Sequence, residues 1–249
     1  MKKMTTIILI SLFVLTGGGL FIYSCIGKEK NTGETERPYM KRTDAENAVN
    51  KLTELGYYKY ADPTDVDSLR EELTNSIAQY GILSTLYFDK PMIPKDYRYY
   101  IFDGEELFEQ GGFDNALAMM TDFFHKTGFK AEVTNHTEET DSVSGGLNHA
   151  LTVNGKRYVI FRNFKDYGWG EAAQRYADMI NDQMQIQGID ERLYLINGGN
   201  DGAAVFLSEE QFKLIDNLLR DDTCKPLLTA KWGQIFRVQP PIVNDHTER

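Results

Sequence analysis

The side chains best able to do chemistry in this 249-residue chain are histidines and carboxylates, because its two cysteines are poorly placed for it. Cys25 falls in an apolar N-terminal run, and Cys224 follows Asp221 and Asp222, whose charge opposes thiolate formation. There is no CxxC pair and no zinc-type spacing. His149 stands at the mouth of an alternating apolar run. With Asp114, Glu132 or Asp141 it would supply general acid–base catalysis if those groups converge. The plainer reading of His149 is a satisfied, half-buried histidine, and that of Asp114 is a helix cap. His125 lies near a helix C-terminus, where a cation is favoured without any site. The stretch NHTEETD, residues 135–141, offers His136, Glu138, Glu139 and Asp141 to a hard cation. Its positions lack the spacing and the central glycine of a calcium loop, so it reads as a solvated acidic loop. Asn135-His136-Thr137 matches the N-glycosylation pattern. No cofactor and no metal is expected.

The elements that must position these groups are legible in the periodicity. Thr43 to Glu46 forms a capping-box pattern ahead of Ala48, Leu52 and Leu55. Asp65 or Asp67 opens a second helix carrying Leu69, Leu73, Ile77 and Tyr80, which Gly81 stops. Residues 82–88 and 97–102 read as strands, and the tyrosines of 57–60 and 96–102 as packing on strand faces. A helix is expected over 114–126, a strand over 129–133 and a polar loop over 134–146. Two alternating runs flank Asn154-Gly155, the pair that a two-residue hairpin with positive φ at both turn positions requires. A long helix follows from about Glu171 to Gln187, then strands RLYLI and AAVFL, a second capping box at Ser208 to Gln211, and a last strand over 233–238. Hairpins with helices between them make an α+β class. We expect antiparallel β-hairpins packed with about five helices, in one domain over residues 43–238.

Between RLYLI and AAVFL the chain runs INGGNDG. A phosphate-binding loop would pass from a strand straight into a helix N-terminus. Here a strand follows, so these residues read as a hairpin connection. Asn200 and Asp201 at its tip are the positions expected to meet a partner.

Residues 112–163 resemble the transglutaminase-like and papain-like cysteine protein fold. Gly112-Phe113-Asp114-Asn115-Ala116-Leu117-Ala118 is similar to its helix start, Gly128 to Val133 to the strand after it, and Asn148-His149-Ala150-Leu151 to its histidine strand. The resemblance places Asn163 as the orienting third residue, and YGWGE at 167–171 echoes a glycine–tryptophan segment. It also implies a cysteine nucleophile at the helix start, which this chain lacks. The best-aligned position is Asp114, with Gly112 and Ala116 as other registers. Acyl transfer needs a thiolate activated by histidine, so the resemblance implies a fold whose activity is lost.

The formal net charge is −10, and removing Lys2 and Lys3 leaves the chain more acidic still. Such a surface repels phosphate backbones, so nucleic acid is not expected as a partner. From Met4 to Gly27 there is no charge. That segment is long enough to span a bilayer once, and it has the basic start and apolar middle of a secretory signal. Ile22-Tyr23-Ser24-Cys25 resembles a bacterial lipobox, which implies lipidation at Cys25, although Tyr23 departs from the small residue usual there. Lipidation, an uncleaved anchor and secretion stay open, and Lys28 and Lys30 leave the orientation open too. Residues 28–42 read as a polar tether and 239–249 as a disordered tail. Three functions are carried forward. The first is a membrane-tethered domain outside the cytoplasm with a non-catalytic binding role and a protein partner. The second is a hydrolase or transferase using His149 with carboxylates. The third is an envelope immunity or inhibitor protein.

Overall fold

A computed structural model describes residues 38–84, 88–90, 93–199 and 202–238. The apolar segment with Cys25, most of the tether, the loop tip Asn200-Asp201 and the tail therefore lie outside the described residues. Among the described residues no helix is long and apolar enough to cross a membrane.

Two helices, α1 (Arg42–Glu54) and α2 (Val66–Tyr80), open the domain. Two short strands follow, β1 (Phe88–Lys90) and β2 (Ile93–Pro94), then β3 (Tyr99–Ile101). Helices α3 (Gly104–Phe108), α4 (Gly112–Met119) and α5 (Thr121–Thr127) lead into a three-stranded meander of β4 (Val133–Thr140), β5 (Leu147–Val153) and β6 (Lys156–Phe164). The long helix α6 (Trp169–Ile186) precedes the hairpin β7 (Arg192–Ile196) and β8 (Ala203–Leu207), and α7 (Glu209–Leu218) and α8 (Thr229–Ile235) close the domain.

A central antiparallel sheet, in the order β3-β8-β7, organises the core. All five residues of β8 are buried, so both of its faces are covered, and strand alternation deals them to two cores. Ala203, Val205 and Leu207 join Tyr99, Tyr194 and Ile196 against α1, α2 and α7. Ala204 and Phe206 join Tyr100, Leu193 and Leu195 against α4, α5 and α6. The second core continues into Leu151, Val153, Ile160 and Phe161 of the meander. The layers run helices, sheet, helices, sheet, an α+β arrangement.

One buried polar cluster pins the central sheet. Arg98 is fully buried; its Nη1 donates to the Phe206 carbonyl at 2.9 Å and its Nε to the Tyr57 carbonyl. Its guanidinium lies 4.7 Å from the Tyr60 ring centroid and 3.6 Å from Glu191. Glu191 also accepts from the Tyr60 hydroxyl at 2.7 Å and pairs with Lys59 at 2.6 Å. Burial opposes its charge, but these partners hold its carboxyl below the usual carboxylate range.

Several local expectations are met. Asn154 (φ 49°) and Gly155 (φ 81°) both take positive φ between β5 and β6. The Ser208 capping box forms in full, and Gly81 ends α2 in the left-handed region. INGGNDG joins β7 to β8, with Asn197 and Gly199 at positive φ. Tyr99 and Tyr100 pack buried on β3, and Tyr57 and Tyr58 are buried too, in the turn after α1 rather than on a strand.

Others are corrected. Eight helices, rather than about five, are present among the described residues. Helix α1 starts at Arg42, capped by Lys41 without a side-chain bond, because Arg42 is engaged by Glu46 and Glu71. Residues 82–84 carry no strand, and β1 begins only at Phe88. The expected helix over 114–126 is two helices that break at Met120; Thr121 turns its hydroxyl back onto the Leu117 carbonyl there, a bond that bends helices. The strand expected at 129–133 begins only at Val133 and takes in 134–140 of the expected loop as β4, whose polar outer face is solvated, while residues 141–146 form the turn to β5. Residues 233–238 hold the end of α8 rather than a strand, because Trp232 buries its ring and donates its indole N–H to the Asn197 carbonyl.

Candidate functional site

The start of α4 is set by two glycines. Gly111 caps the helix at φ 81°. A Cβ on Gly112 would come within 2.2 Å of the Glu106 carbonyl, so only glycine lets α4 begin this close to α3. Asp114 is thus in the first turn and is not the helix cap, since Gly111 fills that place. Its side chain, 55 % exposed, accepts a hydrogen bond from His136 instead.

β4 brings the second group. A bulge between Thr134 and Thr137, with Asn135 at φ 48°, resets its register against β5. His136 within the bulge and Glu138 just beyond it turn inward, two residues apart on one face. β5 contributes His149, which lies opposite Glu138 and is 2 % exposed beneath the Phe113 and Phe161 rings.

These four side chains form a row. Asp114 Oδ2 lies 3.0 Å from His136 Nδ1. His136 Nε2 lies 3.0 Å from His149 Nε2. His149 Nδ1 is 3.6 Å from Glu138 Oε1, an ion-pair distance longer than a hydrogen bond. Glu138 Oε2 accepts from the Gly111 backbone N–H at 2.8 Å and so ties β4 to the start of α4. With both imidazoles neutral, one assignment satisfies every short contact. His136 donates from Nδ1 to Asp114, and His149 donates from Nε2 to His136 Nε2, which leaves His149 Nδ1 bare. The long separation from Glu138 agrees with that bare nitrogen.

Burial, and next the neighbouring His136, lower the His149 pKa from 6.5 to about 4. The folded chain therefore binds fewer protons than the unfolded one between those values, and stability rises with pH across that window. It is fully present above about pH 6.5 and is lost as the pH falls toward about 4, up to about 3 kcal/mol. Urea unfolding at a series of pH values should show this slope in the wild type and a shallower one in His149→Gln.

Asn163, the orienting residue implied by the resemblance, is not in the row. It sits at φ 47°, its Oδ1 accepts from Ser144 Oγ at 2.8 Å, and its N–H donates to Asn148 Oδ1. Nor does Glu132 join: its backbone N–H and carbonyl are taken by Asn154. Asp141 accepts from the Val143 and Ser144 amides, and the Ser144 bonds foremost hold its carboxyl below the usual range. Among the described residues no group of three or more His, Cys, Asp and Glu side chains is placed to hold a metal ion.

His136 and Glu138 are the members that the sequence reading sets aside as loop residues. Their i, i+2 spacing was the available signal, but polar residues on both faces hide a strand's alternation.

Two grooves flank α4. One, of about 450 Å³, is lined by Asp103, Glu106 and Glu109 together with Phe102, Leu107 and Met119. Burial, then the nearby Asp103 and Glu109 charges, raise the Glu106 pKa. The other, of about 470 Å³, runs from Asp114 past Leu117, Ala118, Phe124 and Phe129 to Val133. Comparison of the chain with protein-family models, with curated proteins and with solved structures gives no match.

Proposed function

We propose that the chain is a membrane-tethered domain outside the cytoplasm with a non-catalytic binding or interaction role. One observation carries this reading. At the start of α4 stands the Asp114 carboxylate, engaged by His136, and the second nitrogen of His136 is occupied by His149. A nucleophile with a free activating base, the pair that acyl transfer needs, is not assembled there. What surrounds α4 suits recognition: a groove on each side, lined by apolar and polar residues together. The tether rests on the uncharged run from Met4 to Gly27 behind Lys2 and Lys3.

A photo-crosslinking residue placed at Ala118, in the groove beside Asp114, tests the reading in native membranes. The same residue at Lys213, on exposed α7, is the control. A discrete protein adduct from position 118 and none from 213 is the expected result. Equal labelling at both positions would overturn it. So would hydrolysis of an acyl ester by the purified chain that His149→Ala abolishes.

A further inference from the structure

The row Asp114–His136–His149–Glu138 has a fixed capacity for protons. Its four imidazole nitrogens have set partners. Nδ1 of His136 faces Asp114 and Nδ1 of His149 faces Glu138, while the two Nε2 atoms face each other at 3.0 Å. One N–H fits between the two Nε2 atoms and a second does not, because two hydrogens would then meet head on. Two ring protons give the neutral pair. Three give a single positive charge between two carboxylates. A fourth requires the rings to separate.

The side that yields is also defined. His149 is buried, with the Phe113 ring centroid 4.7 Å away and Phe161 opposite it on β6. His136 lies within the bulge, is partly exposed, and sits on a strand at the edge of its sheet. Among the described residues, the charged groups in contact with the pair are Asp114 from the first turn of α4 and Glu138 from β4; Phe113 of α4 and Phe161 of β6 add their rings. We infer that His136 and His149 form an acid-sensitive latch, which holds the bulged strand β4 against α4 while one proton lies between the rings and releases β4 when both rings are fully protonated. Release frees the Val133–Asp114 edge of the groove beside α4.

Hydrogen exchange of the full chain in detergent micelles tests the latch, with rates corrected for intrinsic exchange. Between about pH 7.5 and about pH 4, residues 133–140 should accelerate about ten-fold more than residues 156–164 of β6. His136→Gln should remove that difference. The double variant Asp114→Asn with Glu138→Gln keeps the acceptor oxygens but cannot titrate, and it should retain the difference. Ring resonances of the wild type give a readout that does not depend on any variant folding. The His149 ring should titrate in two linked steps. A single-step His149 curve, or equal acceleration of β4 and β6, would overturn the latch.

Discussion

Replacing Arg98 with methionine is expected to cost the domain about 3–5 kcal/mol, the range for removing one partner of a buried ion pair. The guanidinium is fully buried and serves several groups at once: the carbonyls of Tyr57, Gly56 and Phe206, and the Glu191 carboxylate. Methionine fills much of the same volume but donates nothing. The loss therefore comes from stranded acceptors and from a carboxylate left to Lys59 and Tyr60. Urea unfolding followed by circular dichroism measures it. The double variant with Glu191→Met should lose less than the sum of the two single changes, because it removes the stranded charge as well. A single-variant loss below about 1 kcal/mol would show that the cluster is not acting as a unit.

The second large effect is expected at Phe206. Its ring stacks on Phe123 with centroids 4.0 Å apart and meets Tyr100 and Phe124 edge-on. It projects from β8 into the core shared by α4, α5 and α6. Phe206→Ala should destabilise by about 3–5 kcal/mol through lost transfer energy and the cavity left behind. Phe206→Leu, which keeps most of the volume, should cost clearly less. The dependence on urea concentration should keep the same slope in both variants, since the surface exposed on unfolding hardly changes.

The parts of this fold that were legible in the sequence are those decided by local chemistry. Asn154-Gly155 announces its turn because two adjacent positive φ angles need such residues. Ser208 and Gln211 announce a helix start because each satisfies the other's backbone N–H. The apolar runs RLYLI and AAVFL either side of a glycine- and asparagine-rich turn announce strands, but which helices cover the two faces of β8 depends on segments remote in the chain. β4 was illegible for a different reason. Its outer residues are as polar as a loop, and only the bulge at Asn135 turns His136 inward. The candidate site divides in the same way. Asp114 and His149 stand out by residue type and by position. The side chain that joins them, His136, has a role visible only once β4 is paired with β5.

The pairing of β3 with β8 has a consequence for the order of events during folding. Tyr99 lies opposite Val205, about a hundred residues further along the chain. The hairpins β5–β6 and β7–β8 close short loops and can form as soon as their own residues are available. β3 has no strand partner until β8 exists, and Arg98 has no Phe206 carbonyl to meet. A chain that emerges from its N-terminus onward must therefore carry the backbone edge of β3 unpaired until nearly all of the domain has been made. In that interval the unpaired edge of β3 is open to pairing with other chains.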